Sequence, residues 1–168
     1  MTRKGLVHFI HGKESGPGGR KLVALSEVAG SAGWRTCSLD YSHTTDPAVR
    51  LEQLVTACRD ERGLLLLVGS SMGGWVAAEA ARQLGASGLF LLAPAVHMAG
   101  YPSQAPVVPH ENTEIVHGWD DDVIPYDHAV RFARSSGCTL HLVQGDHRLS
   151  TQIPLLCELF SSFLGKFA

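Results

Sequence analysis

Along this chain, short runs of apolar residues alternate with segments whose apolar positions recur at helical spacing. Six runs read as strands, at residues 6–11, 35–39, 64–68, 88–93, 114–117 and 139–143. They read as continuous apolar stretches, not alternating ones, as expected for strands buried on both faces of a parallel sheet. Helices fill the gaps. Asp46 and Pro47 read as an N-cap and first helical residue, followed by an apolar stripe of Leu51, Leu54, Val55 and Cys58. An Ala-rich helix is expected over 72–84. Another is expected over 126–136, with Ala129, Val130 and Ala133 inward and Gly137 just past its end. Leu156, Phe160, Phe163 and Phe167 mark the inner face of a last helix. This order predicts an α/β protein, a doubly wound parallel six-stranded sheet with helices on both faces. Residues 94–112 carry four Pro and no sustained period. They form either a pocket wall beyond the carboxyl ends of the strands or a plain surface connection.

The length of 168 residues fits one domain over 1–168, with a sizeable core. Apolar residues at 45% and charged residues at 18% exclude a disordered chain. Fourteen Lys and Arg against sixteen Asp and Glu leave a net charge of −2, which provides no basic footprint for nucleic acid. No apolar run approaches the roughly 18 residues of a membrane span, since Gly69 and Pro94 end the two best candidates. Near the N-terminus, Arg3 and Lys4 precede a short apolar run, but His8 and His11 interrupt it and no small-residue cleavage site follows. A cytoplasmic protein is expected. Cys37, Cys58, Cys138 and Cys157 form no C-x-x-C pair and read as reduced thiols. His97, His110, His128 and His141 have no metal-binding spacing, so neither metal nor cofactor is expected.

Candidate chemistry begins at Gly69-Ser70-Ser71-Met72-Gly73, a G-x-S-x-G motif between a predicted strand and a predicted helix. The letters alone would also fit a Gly-Ser turn capping the helix. The strand–turn–helix placement gives them more weight. A nucleophile on so tight a turn needs small residues two before and two after it, and Gly69 and Gly73 meet that demand around Ser71, not Ser70. A serine hydroxyl needs a general base and a carboxylate to orient that base. Residues 117–125, HGWDDDVIP, follow the fifth strand, and 145–149, GDHRL, follow the sixth. They offer Asp120, Asp121 or Asp122 as acid and His147 as base.

The chain order Ser, Asp, His and the segment His117, Gly118, Asp121, Ile124 and Pro125 resemble the α/β-hydrolase superfamily over nearly the whole sequence. The resemblance selects Asp121 as the acid, though spacing alone separates it from neither Asp120 nor Asp122. Residues 9–17 resemble the family's oxyanion segment, implying backbone N–H donors at Lys13 and Met72. His11 and His117 read as structural. Tyr41, Ser42 and His43 are either pocket rim or solvated loop, and Trp75 and Trp119 either pocket lining or core. The Gly-rich 16–19 segment lacks both nucleotide-binding patterns.

Relative to the family, the sequence has neither the additional N-terminal strands nor a helical insertion large enough for a lid. A reduced, lidless fold is implied, with strand order 2-1-3-4-5-6, similar to small serine esterases. The expected activity is hydrolysis of carboxylic esters with short acyl chains through an acyl-enzyme on Ser71. The alternatives are a thioesterase and a non-catalytic protein of this fold that binds a ligand or partner. The expected partner is a small ester or thioester, with no nucleic acid and no membrane; the pattern carries no signal for an oligomeric state.

Overall fold

The computed structural model describes residues 4–168; Arg3 of the N-terminal basic pair lies outside them. Six strands, β1 (Gly5–Ile10), β2 (Arg35–Ser38), β3 (Leu64–Ser70), β4 (Gly88–Leu92), β5 (Thr113–Gly118) and β6 (Thr139–Val143), alternate with five helices. These are α1 (Arg20–Ser31), α2 (Pro47–Cys58), α3 (Met72–Leu84), α4 (Tyr126–Ser136) and α5 (Ile153–Gly165). All strand pairs are parallel, in the order β2-β1-β3-β4-β5-β6. Each strand lies within two residues of its expected bounds.

The four inner strands are almost wholly buried, as strands covered on both faces must be; β1, β3 and β4 are mainly apolar, while β5 also buries Thr113, Glu114 and His117. The two edge strands depart from that expectation. β2 alternates between half-buried and exposed positions, and β6 is at best half-buried. One side of each edge lacks a neighbouring strand, so the flanking helices cover less of it. The sheet separates two cores. On one face α1 and α5 bury Leu22, Leu25, Phe160 and Phe163 against Phe9 and Phe90. On the other, α2, α3 and α4 bury Leu54, Trp75, Val76 and Phe132 against Ile10, Leu67 and Leu91.

The helix ends follow local chemistry. The Asp46 side chain accepts from the Ala48 N–H, and Gly85 and Gly137 take left-handed conformations at the ends of α3 and α4. On α4 the buried face is Ala129, Phe132 and Ala133; Val130 lies on its flank, half-buried. Leu164 joins the buried face of α5, while Phe167 lies beyond the helix and is half-buried. Residues 94–112 fold back onto the helices. The Trp75 indole N–H donates to the Ser103 carbonyl, Tyr101 packs on Trp75, and the Val96 carbonyl accepts from His128.

The direction of winding reverses between β1 and β3, neighbours that lead to opposite sides of the sheet. The crevice outside their carboxyl ends is where open α/β sheets bind ligands. Ser71 follows β3 and the 11–19 segment follows β1, so both fall at this switch point. Among the described residues no helix is long and apolar enough to cross a membrane.

Candidate active site

Ser71 joins β3 to α3 with φ 56 and ψ −118, a strained conformation held only where surrounding contacts enforce it. Its N–H donates to the Leu92 carbonyl at 2.9 Å, and its own carbonyl accepts from the N–H groups of Gly74, Trp75 and Ala95. The turn leaves no room for flanking side chains. A Cβ on Gly69 would lie 2.2 Å from the Gly73 carbonyl oxygen, and one on Gly73 would lie 2.1 Å from the Ile10 carbonyl oxygen. Gly74 serves a different contact: a Cβ there would lie 2.9 Å from Pro94 Cα, beyond β4.

Ser71 stands at the N-cap position of α3, but its side chain makes no capping bond. Instead Oγ lies 3.0 Å from His147 Nε2, and His147 Nδ1 lies 2.7 Å from Asp121 Oδ2. An ionised carboxylate only accepts, so the Nδ1–H donates to Asp121 and Nε2 is left to accept from the serine hydroxyl. The structure therefore joins Ser71, His147 and Asp121 in one hydrogen-bonded chain.

Asp121 is buried, whereas Asp120 and Asp122 are exposed and neither caps α4. Its Oδ1 accepts from the Val123 and Ile124 N–H groups at 2.9 and 2.8 Å. Its Oδ2 takes a second imidazole, His117 Nε2, at 3.0 Å. Burial would raise this carboxyl's pKa, but bonds from His117, His147, Ile124 and Val123 outweigh it and hold the group well below the ordinary 3.8. His117 is wholly buried and also reaches the Ile124 carbonyl, so it ties the acid to its loop.

The loop bearing His147 is braced by the Asp146 carboxylate, which accepts from the Arg148 and Leu149 N–H groups, and by the fully buried Leu149 side chain. Asp120 and Trp119 bond through their N–H groups to the carbonyls of Gly145 and Val143, so the acid and imidazole loops lie side by side. Lys21, on the first turn of α1, has its pKa pushed down to about 8 by burial, against the upward pull of Asp146 and Asp121.

The loop after β1 packs against the nucleophile: a Cβ on Gly12 would lie 3.3 Å from Ser71 Cβ. Met72 is the first residue of α3, so its N–H has no partner within the helix. Neither the Met72 nor the Lys13 N–H donates to a backbone carbonyl outside the helices and strands of the described residues. His11 is buried and holds this loop in shape. Its Nδ1–H donates to the Gly12 carbonyl at 2.8 Å and its Nε2 accepts the Tyr41 N–H at 2.9 Å. Tyr41 is thus neither rim nor solvated loop but core, with its hydroxyl on His8; Ser42 and His43 are exposed. Trp75 is core, while Trp119 is 47% exposed and packs edge-on against Tyr126.

Arg50 is the residue that the motifs missed. It is fully buried on α2 and grips the same loop, with Nη1 3.0 Å from the Gly12 carbonyl oxygen and 3.2 Å from that of His11. A signal was present, because Arg50 lies four and eight residues before Leu54 and Cys58, on the buried face of α2. A cleft of about 1130 Å³ elsewhere, lined by His8, Trp34, Arg35 and Glu61 among others, includes none of Ser71, Asp121 and His147. All four cysteines are free, and among the described residues no three His, Cys, Asp or Glu side chains gather where they could hold a metal ion.

Residues 6–104 match the model of an uncharacterised protein family, UPF0227. No curated protein matches the sequence. Among solved structures, a candidate hydrolase of the alpha/beta superfamily from Xanthomonas campestris pv. campestris is 32% identical. It has a TM-score of 0.89, and the alignment covers 96% of this chain and 99% of that one. Est1E from Butyrivibrio proteoclasticus is 21% identical with a TM-score of 0.81, covering 98% of this chain and 88% of that one. Alpha/beta hydrolase domain-containing protein 10 from mouse is 19% identical with a TM-score of 0.77, covering 97% and 90%. The last two likenesses speak for the fold alone. The family match over more than half the chain and the 32% identity along almost all of it lead to one assignment: the protein belongs to UPF0227, within the alpha/beta-hydrolase superfamily.

Proposed function

We propose that this protein is a serine hydrolase that cleaves carboxylic esters of short acyl chains. The observation that carries the reading is the unbroken chain from Ser71 Oγ through His147 to Asp121, at 3.0 and 2.7 Å. A superfamily relative named as a candidate hydrolase supports it. In the proposed reaction Ser71 Oγ attacks the ester carbonyl carbon while His147 Nε2 takes the hydroxyl proton. Asp121, kept ionised by its four hydrogen bonds, stabilises the imidazolium that forms. The carbonyl oxygen becomes an oxyanion facing the Lys13 and Met72 N–H groups, each worth a few kcal/mol in such a role. Collapse breaks the bond to the alkoxy oxygen, which leaves with the proton from His147. Water, deprotonated by the same imidazole, then releases the acid and restores Ser71.

Among the described residues no inserted helical domain stands over the strand ends, which favours small substrates at an open site. The test combines fluorophosphonate labelling with turnover of p-nitrophenyl esters and acyl thioesters of rising chain length. The wild type is expected to label and to hydrolyse the short esters fastest, and Ser71→Ala to do neither. Equal labelling of Ser71→Ala would overturn the serine assignment, and labelling without any turnover would point to a binding role.

A further inference from the structure

Arg50 is buried to 0% exposure, and among the described residues no carboxylate lies within 4 Å of it. Its guanidinium donates only to carbonyls, those of Thr44 at 2.9 Å, Gly12 at 3.0 Å and His11 at 3.2 Å, while Nη2 has no partner at all. Burying an unpaired cation is costly, and three carbonyl bonds are a small return for a purely structural role. The location of those carbonyls explains more.

In a trans peptide the carbonyl of one residue and the N–H of the next share a plane and point in opposite directions. The Gly12 carbonyl therefore fixes where the Lys13 N–H points. That carbonyl accepts twice, from His11 Nδ1 at 2.8 Å and from Arg50 Nη1 at 3.0 Å, on the side away from the Lys13 N–H. His11 is itself held by the Tyr41 N–H. A cation on the carbonyl oxygen also draws electron density from the peptide and strengthens its N–H as a donor.

We propose that Arg50 is a positioning residue for the transition state: it locks and polarises the Gly12–Lys13 peptide so that the Lys13 N–H is aimed at the oxyanion. This rests on the serine-hydrolase reading above and adds to it a buried cation behind the oxyanion donor. Arg50 touches no substrate and acts only through that peptide.

Arg50→Met keeps the length and apolar stem of the side chain but removes its donors, and Arg50→Lys keeps a cation with one head group. With p-nitrophenyl acetate, Arg50→Met is expected to lower kcat by roughly 10- to 100-fold with little change in KM, since only a contact made in the transition state is weakened. Affinity for an alkyl boronic acid is expected to fall by a similar factor, and Arg50→Lys to recover part of both. A second readout needs no activity: the Lys13 amide nitrogen resonance should move upfield in Arg50→Met, because its carbonyl partner loses a cationic donor.

A folded Arg50→Met with wild-type kcat and an unmoved Lys13 resonance overturns the proposal, as does a change confined to KM. If Arg50→Met does not fold, Arg50→Lys decides by the same two readouts. Loss of labelling and turnover in the wild type itself would instead strike the serine-hydrolase reading, whatever the Lys13 resonance does.

Discussion

The Asp121 carboxylate takes two hydrogen bonds on each oxygen, from two backbone N–H groups and two imidazoles. Such a group is fixed in place and in charge. Asp121→Asn keeps the shape but presents an amide to His147 Nδ1, favouring the wrong tautomer at Nε2. Turnover of a short ester is expected to fall by about 10³- to 10⁴-fold with KM little changed, measured under saturating substrate. A loss under tenfold would remove Asp121 from the mechanism. The pKa depression has a defined sign: the stabilisation is present above the ordinary 3.8 and is lost only as pH falls toward the folded value. Asp121 therefore contributes nothing to pH dependence above pH 5. Ser71 and His147 were legible from motif and placement, because a strand-to-helix turn with Gly on both sides has few other uses. Asp121 was separable from Asp120 and Asp122 only by resemblance. The selection lies in which carboxylate meets the Val123 and Ile124 N–H groups, a three-dimensional fact that spacing does not encode.

At the scale of elements, the site depends on helix starts. β3 delivers Ser71 to the first turn of α3, and α2 delivers Arg50 one turn past its Asp46 cap. Asp46→Ala removes the bond to the Ala48 N–H and is expected to cost about 1 kcal/mol, a fall in Tm of roughly 2–4 °C by thermal melt. An unchanged Tm would mean that α2 is held by packing alone. The capped helices were readable because Asp-Pro and Gly are chemical punctuation. α1 was not bounded by the sequence pattern, since its start at Arg20 follows Gly19 with no side-chain cap, although its end does carry a Gly: Gly33, at φ 88, lies just past Ala32, with its N–H on the Gly30 carbonyl and the Trp34 N–H on the Ala29 carbonyl. The edge strands were misjudged as buried on both faces for a related reason: β2, with sequence RTCS, pairs with β1 alone and owes its exposure to its place in the sheet. Arg50 escaped notice because a charge in an apolar stripe reads as an interruption until the carbonyls it serves are seen.

For the molecule as a whole, the acid limit of stability is expected to involve a histidine far from the chemistry in role. His8 is 1% exposed, bonded to the Tyr41 hydroxyl at 2.9 Å and to the Cys58 thiol at 3.4 Å, and burial pushes its pKa from 6.5 down to about 4. Because the folded pKa lies below the unfolded one, the unfolded chain binds more protons between pH 6.5 and about 4, and stability is lost as pH falls through that window. At about 1.4 kcal/mol per unit the loss reaches roughly 3 kcal/mol. Urea unfolding from pH 7 to pH 4.5 should show this decline in the wild type and a shallower one in His8→Gln. Parallel declines would place the acid sensitivity elsewhere. The whole-molecule plan was the most legible level, because six apolar runs separated by helical segments admit few arrangements, and both loops of the candidate site must then leave the same edge of the sheet.

In the proposed reaction Ser71 carries the acyl group. The most direct test mixes the protein with p-nitrophenyl acetate, quenches in acid within one turnover, and maps the added mass by peptide. An acetyl group is expected on Ser71, released on incubation before quenching and absent from Ser71→Ala. Turnover with no acetyl on Ser71, or an adduct that persists in Ser71→Ala, would contradict it.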